Sequence, residues 1–161
     1  MDTQDDLQFD RGEQMPERMR HQFSRLVGMT AAQAGRIAGR ALGSVGAHRR
    51  HFMVLSALAE AGPASQAQLA DRTGVFRSDL VAVLNELAED GRIMRAPDPG
   101  DKRRNVITIT EAGTERLGEL DALLAQANED MLAPLSAAER RQLFDLLGRV
   151  NAHMAGVPAE S

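Results

Sequence analysis

The sequence predicts a mainly α-helical protein of the α+β class, in which one small β-hairpin accompanies several amphipathic helices. Apolar residues recur at helical spacing through most of the 161 residues, and capping signals divide them into separate helices. Only residues 91–110 place two β-prone runs on either side of a turn-forming segment. With 43% hydrophobic residues the chain can bury one sizeable core, so we expect one domain with or without an appended helical layer.

Composition excludes several classes of protein. The absence of cysteine excludes a disulfide framework, a thiolate zinc site and a thiol redox switch. No apolar run has the length of a membrane span, and the acidic first ten residues do not resemble a signal peptide, so we expect a cytoplasmic protein. The net charge of −4 argues against nonspecific coating of nucleic acid. It leaves room for a local basic face, because phosphates respond to charges within about 8–10 Å.

The first third of the chain predicts an arm followed by two helices. Residues 1–15 carry five carboxylates and predict a disordered acidic arm. Residues 16–45 predict one long amphipathic helix that begins at Pro16, and its small residues would permit close contact with another helix. After a glycine break, a second helix presents an apolar face made of Phe52, Leu55, Leu58 and Ala59.

Residues 65–89 predict two helices joined by a tight turn. Ser65 and Gln68 have capping-box spacing, which predicts a short helix over residues 66–72, and Gly74 makes the turn. The next helix directs an apolar stripe to the core, formed by Leu80, Val83, Leu84 and Leu87. Its other face carries short side chains that would let a groove wall approach, namely Ser78, Ala82 and Asn85, with Val81 to one side and Arg77 in the first turn. This arrangement suits the recognition helix of a helix-turn-helix motif.

The hairpin of residues 91–110 has a basic tip. A turn at residues 98–100 separates the strands predicted over residues 92–95 and 105–110, and the cations Lys102, Arg103 and Arg104 follow Asp101. The segment resembles the wing signature of the MarR family of transcriptional regulators, in which Asp-x-Arg precedes a hydrophobic strand that closes with Leu-Thr-x-x-Gly. Here residues 109–113 read Ile-Thr-Glu-Ala-Gly. A charged turn alone is as often a solvated loop, but the order of the neighbouring elements favours DNA binding.

The resemblance implies a winged helix-turn-helix with a helical dimerisation layer built from both chain ends. Residues 46–112 would form the DNA-binding domain, residues 16–45 the N-terminal dimerisation helix, residues 113–155 the C-terminal dimerisation helices and residues 156–161 a flexible tail. Thr110 is expected to cap the first C-terminal helix, and Ser136 with Glu139 forms a second capping box. The apolar stripes at both chain ends exceed what one protomer can cover, so we expect a homodimer.

As a function, the resemblance implies a sequence-specific regulator that binds double-stranded DNA at a pseudo-palindromic operator, as a repressor relieved by a ligand. The residues expected to contact DNA are Arg72, Arg77, Ser78, Val81, Ala82, Asn85, Arg95, Asp101, Lys102, Arg103 and Arg104, with Arg92 as a further phosphate contact. Phe76 departs from the family pattern, because it occupies the N-cap where Ser, Asp or Thr is common. We expect Thr73, Ser78 or Asp79 to substitute as the cap, or the helix to start later.

The resemblance also implies a crevice that takes an anionic aromatic ligand, lined by Arg36, Arg40, His48 and Phe52. His48 and His51 are three residues apart and could share a metal, but the local sequence adds no cysteine, aspartate or glutamate. We therefore interpret them as one surface and one interface histidine, and we expect neither a metal nor a cofactor.

Two other classes of function compete with that of a DNA-binding regulator. No glycine-rich phosphate loop, HExxH motif or Ser/His/Asp ordering is present in the sequence, so we expect no enzyme activity. The stronger alternative is a winged-helix module that binds another protein, with its basic wing against an acidic partner. Preference for one duplex sequence over random DNA would separate this module from a regulator.

Overall fold

The computed structural model describes residues 16–101 and 105–156 of the chain. The elements in chain order are α1 (Glu17–Arg20), α2 (Phe23–Gly43), α3 (Arg49–Ala61), β1 (Ala64–Ser65), α4 (Gln66–Thr73), α5 (Arg77–Glu89), β2 (Ile93–Pro97), β3 (Asn105–Ile109), α6 (Glu111–Met131) and α7 (Ala137–Ala155). This mainly helical chain with a small antiparallel sheet confirms the predicted fold class. None of the helices in the described ranges is long and apolar enough to cross a membrane.

The described residues fall into two compact units, one ending at Leu124 and one beginning at Ala125. The first unit contains the helix-turn-helix and the sheet. The predicted arm, residues 1–15, and residues 157–161 of the predicted tail lie outside the described residues.

The single long N-terminal helix predicted from residue 16 is interrupted. α1 ends at Arg20, and Gln22 then adopts an extended backbone with φ −74° and ψ 114° before α2 begins at Phe23. Every residue of α1 is exposed. Helices in proteins are stabilised mainly by packing of an apolar face. Since α1 buries no such face, packing does not hold residues 17–43 in one continuous helix.

Polar side chains define the starts of two other helices, as the sequence predicted. At α4, Ser65 Oγ accepts from the Gln68 N–H at 3.3 Å, while Gln68 Oε1 accepts from the Ser65 N–H at 2.9 Å. At α7, Ser136 and Glu139 form the same reciprocal pair. Both capping boxes are confirmed, since each satisfies two backbone groups that the first helical turn leaves without partners.

The sheet has three antiparallel strands in the order β1-β3-β2. β2 and β3 form the predicted hairpin, with Ile93 opposite Ile109 and Pro97 opposite Asn105. β1 was not predicted, because a strand of two residues shows no alternation. It pairs Ala64 with Ile107 and so joins the start of α4 to the hairpin.

The core of the first unit brings the helix-turn-helix against the sheet. The stripe predicted on α5 is confirmed, since Leu80, Val83, Leu84 and Leu87 are each at most 3% exposed. On α3, Leu55 and Leu58 are buried as expected, but Ala59 is exposed and Val54 is buried instead. The buried face of α3 is therefore rotated from the predicted one.

Gly113 lets the start of α6 approach the chain that leads into β2. Thr110 Oγ1 accepts from the Gly113 N–H at 3.0 Å, which confirms Thr110 as a cap, and its hydroxyl donates to the Gly91 carbonyl at 2.7 Å. A Cβ on Gly113 would lie 2.0 Å from the Arg92 carbonyl oxygen and 2.8 Å from Ile109 Cγ1. Position 113 therefore has no room for a side chain.

We predict that Gly113→Ala lowers the free energy of unfolding by roughly 1–3 kcal/mol, because the Arg92 backbone must shift to admit the methyl group. Gly118→Ala in the same helix is the matched control, since a Cβ there meets nothing within 4 Å. The control should stabilise the protein by up to about 1 kcal/mol through higher helix propensity. Urea unfolding followed by circular dichroism measures both, and equal stability of the two variants would contradict the prediction.

Candidate nucleic-acid interface

The face of α5 opposite the core presents short and polar side chains to solvent. All five residues that the sequence predicted for this face are exposed: Arg77, Ser78, Val81, Ala82 and Asn85. They are spaced at one, three and four residues, which places them on one side of a helix. The structure therefore brings these five predicted site residues together.

The N-terminus of α5 has no side-chain cap. Phe76 occupies the N-cap position and is 79% exposed. Thr73 does not substitute, because its Oγ1 accepts from the Val75 N–H at 3.3 Å and donates to the Leu69 carbonyl at 2.6 Å. The expectation of a substitute cap is therefore wrong, and so is that of a later helix start, because α5 begins at Arg77. The uncapped amides leave a partial positive charge that favours an anion.

Two polar contacts hold α5 from its sides. Asp79, one of the residues expected as a cap, instead forms an ion pair with Arg50 of α3, with 2.9 Å between Asp79 Oδ2 and an Arg50 Nη. Asn85 Oδ1 accepts from an Arg95 Nη of β2 at 2.8 Å. The second contact joins the helix to the hairpin. It also engages the Asn85 amide oxygen, so an adenine contact through that oxygen would require Arg95 to release it.

The remaining arginines predicted to contact DNA differ in their surroundings. Arg72 is exposed, and its guanidinium donates to the Gly62 carbonyl at 3.1 Å. Arg92 is half-buried and donates to the Ala112 carbonyl at 2.9 Å, so its side chain joins the turn before β2 to the start of α6. The phosphate contact expected of Arg92 stays a prediction, and the side chain has a structural contact in addition.

At the wing tip, the structure shows the turn but not the cations. Asp98 Oδ1 accepts from the Gly100 N–H at 2.8 Å, which closes the predicted turn. Asp101 is exposed, whereas Lys102, Arg103 and Arg104 lie outside the described residues. The predicted roles of these three residues remain predictions.

Sequence comparison shows which family this chain resembles. The MarR family model matches residues 45–104, from just before α3 to the wing tip. Over 108 residues the chain is 35% identical to a candidate transcriptional regulatory protein for the hcr operon of Thauera aromatica. Over 99 residues it is 31% identical to the HTH-type transcriptional repressor NicR of Pseudomonas putida. Over this part of its length the chain is similar to the MarR family.

Coverage of these relatives is partial. The two alignments cover 67% and 62% of this chain and 65% and 63% of the relatives, so the chain spans less than two thirds of either protein. A solved structure supports the same MarR assignment. A cysteine-to-serine mutant of MarR from E. coli, complexed with operator DNA, is 25% identical and superposes with a TM-score of 0.68 over 79% of this chain and 91% of that one.

The ligand residues that the MarR resemblance implied are only partly brought together. Arg36 and Arg40 line one open groove on α2 with Gly39 and Gly43. His48 instead bonds to Glu86 of α5, and Phe52 packs against the hydrophobic core. The groove therefore offers two arginines one helical turn apart without the other two predicted residues.

A second cluster joins α3 to α5 through two histidines and a carboxylate. Glu86 Oε2 lies 2.7 Å from His51 Nε2 and 3.1 Å from His48 Nε2. His51 is only 8% exposed, so it is buried inside the protomer rather than at an interface. Glu86 could not be found from the sequence, because it is 35 and 38 residues beyond the histidines on another helix.

The cluster shifts the ionisation of its members. Burial lowers the pKa of His51 below its ordinary value, although the hydrogen bond to Glu86 acts in the opposite direction. The hydrogen bonds from His48 and His51 lower the pKa of Glu86. Glu86 is therefore held as a carboxylate, and His51 favours its neutral form.

We predict that Phe76→Ser raises the free energy of unfolding by about 1 kcal/mol, because a serine Oγ can accept from the uncapped amides of α5. The loss of an exposed aromatic ring removes little burial. Val81→Ser is the control, since it places the same residue inside α5 where no N-cap exists, and it should give no gain. Chemical unfolding measures both variants, and an unchanged or lower stability of Phe76→Ser would refute the capping argument.

Proposed function

We propose that this protein regulates transcription by binding a specific sequence of double-stranded DNA as a homodimer. The observation that carries the proposal is the exposed face of α5, where short side chains stand opposite a fully buried apolar stripe. Such a face can enter a major groove without steric conflict. The fold similarity to MarR bound to operator DNA supports this reading.

Within this proposal, the recognition helix reads bases through small contacts. Ser78 can hydrogen bond to base edges, and Val81 and Ala82 can contact thymine methyl groups. Arg77, in the uncapped first turn, would bind a phosphate or a guanine. Asn85 contacts Arg95 and would mainly orient that arginine.

Phosphate contacts would fix the position of the protein on the duplex. Arg72 and Arg95 are exposed cations that flank α5 in the chain, and each has one contact with a neutral oxygen of the protein. Because those contacts do not neutralise their charge, both remain able to attract phosphate. The wing, with Asp101, Lys102, Arg103 and Arg104, would reach the flanking minor groove.

The homodimer is supported by apolar side chains that one protomer leaves in solvent. In the described helices nearest the two chain ends, seven large apolar side chains are at least 44% exposed: Met19, Phe23, Leu26, Phe144, Leu146, Leu147 and Met154. Burying such surface against a second copy is favourable, and a twofold dimer matches a pseudo-palindromic operator. The regions proposed for dimerisation are thus residues 16–45 and 113–155.

A repressor role and relief by a ligand complete the proposal. The relative from Pseudomonas putida is a transcriptional repressor. In this chain, Arg36 and Arg40 line a groove that suits an anionic aromatic ligand. A ligand in this groove would bind more tightly to a dimer arrangement that does not fit the operator. Such a difference in affinity between two arrangements is what a ligand-controlled switch requires.

The proposed function predicts that Ser78→Glu and Ala82→Glu each weaken operator binding by roughly 100-fold or more, because a carboxylate in the groove meets phosphate repulsion. The operator is first selected from random duplexes by the wild-type protein. Fluorescence anisotropy then measures affinity and the number of chains bound. Ala59→Glu, which adds the same charge to an exposed position of α3, should bind like the wild type.

Three results would count against this proposal. Retained affinity in a folded Ala82→Glu variant would remove α5 from the interface. A stoichiometry of one chain per operator would contradict the dimer. If no duplex were preferred over random DNA, the alternative of a module that binds an acidic protein would be favoured.

At the wing, we predict that Arg103→Ala weakens operator binding by roughly 1–3 kcal/mol and reduces the preference for A·T-rich flanks. Lys102→Ala should weaken binding to all DNA sequences similarly, and it should lower the slope of log affinity against log salt concentration by about one. The difference arises because a flat, weakly hydrated guanidinium fits a narrow groove better than an ammonium group.

Affinities across a salt series, with A·T-rich and G·C-rich flanks, separate the two effects. Arg103→Lys is the control that keeps the charge, and it should recover only part of the loss. If Lys102→Ala and Arg103→Ala changed operator affinity equally, the wing would act only as a cationic patch.

A further inference from the structure

Three side chains that commonly bind transition metals converge between α3 and α5. His48, His51 and Glu86 each direct one ligating atom into a space where these atoms lie within 4.8 Å of one another. We propose that His48, His51 and Glu86 form a binding site for a divalent transition metal ion of the zinc class. None of these three residues lines the arginine groove, and none is among the five residues described for the exposed face of α5.

The donor set favours this class of ion. Two imidazoles and one carboxylate suit Zn²⁺, Co²⁺ and Ni²⁺, whereas Mg²⁺ and Ca²⁺ favour sites made of oxygen ligands. A soft ion such as Cu⁺ favours sulfur ligands, and the chain has no cysteine. Three protein ligands leave a fourth position of a tetrahedral site for water or an anion.

The distances from the carboxylate oxygen of Glu86 to the two ring nitrogens need little change to admit the ion. Glu86 Oε2 is 2.7 Å from His51 Nε2 and 3.1 Å from His48 Nε2. With metal–ligand bonds of about 2.0–2.1 Å, tetrahedral ligand atoms stand roughly 3.3 Å apart. Each ring nitrogen therefore needs to move only a few tenths of an ångström from the carboxylate oxygen to exchange its hydrogen bond for a metal bond.

The two imidazole rings are stacked, and they would have to turn apart to coordinate one ion together. Their centroids are 3.7 Å apart and their planes differ by 27°, whereas two imidazoles on one tetrahedral ion have centroids roughly 5 Å apart. Both Nε2 atoms already contact the same carboxylate oxygen, so the movement needed is a rotation of the half-exposed His48 ring away from His51. His51 is anchored by burial, whereas the side chains of His48 and Glu86 are 46% and 50% exposed. One ligand is thus fixed in position, and the other two leave a path from solvent.

One of the two arginines between His48 and His51 in the chain is paired with a carboxylate. Arg50, next to His51 in the chain, forms an ion pair with Asp79 at 2.9 Å. Its positive charge is therefore partly neutralised beside the cluster. An ion bound by His48, His51 and Glu86 would replace the hydrogen-bonded link between α3 and α5 with metal bonds, and it should stabilise the folded protein by binding only the native arrangement.

The experiment uses the full-length protein after treatment with a chelator. Co²⁺ is titrated with detection of its visible absorption, which is intense for tetrahedral sites, and Zn²⁺ is titrated by calorimetry. We expect one ion per chain and a higher melting temperature with Zn²⁺. His48→Ala and Glu86→Gln, both at half-exposed side chains, should each weaken binding by about 10–100-fold or more and remove the thermal shift.

The remaining histidines provide matched controls. His153→Ala, in an exposed position of α7, and His21→Ala, after α1, should bind both ions like the wild type. Circular dichroism confirms that each variant is folded. A wild-type protein that takes up neither ion, or an affinity unchanged in the His48→Ala, Glu86→Gln double variant, would overturn the proposal. None of these measurements involves DNA, so their outcome is independent of the regulatory function.

Discussion

Burial of one side of α5 is the constraint on which the rest of the structure depends. Leu80, Leu84 and their two neighbours in the stripe are almost completely removed from solvent. Each such side chain contributes about 1.5–3 kcal/mol when buried, so rotating the helix by one residue would lose more than any surface contact could restore. Because a helix has a fixed period, this burial also determines which residues face outward. The exposed face of α5 is thus a consequence of the core.

Three polar contacts further fix the position of α5, which the core has already oriented. Arg50–Asp79 lies near the start of α5, the histidine cluster lies near its end, and Arg95–Asn85 joins it to the hairpin. An exposed ion pair such as Arg50–Asp79 is worth only about 0–1 kcal/mol, so its importance is geometric rather than energetic. Together, these contacts connect α5 with both α3 and the hairpin. A displacement of α3 or of the hairpin would therefore alter the position of α5.

Local signals in the sequence predicted most of the fold and much of the site. The capping boxes at Ser65 and Ser136, the stripe on α5 and the hairpin turn all involve residues a few positions apart, so their patterns were readable. β1 and Glu86 were missed because each depends on a partner far along the chain. The contact of Arg92 with Ala112 was missed for the same reason, since only the fold shows it.

Gly113 has a consequence for how relatives of this chain can diverge. Its constraint comes from the Arg92 backbone, not from any group that would read DNA. Under the proposed function, a relative with another operator can differ at Ser78, Val81 or Ala82 without disturbing the core, whereas any side chain at position 113 destabilises the fold. We therefore expect Thr110 and Gly113, at the junction of hairpin and helix, to be retained in relatives that recognise different operators.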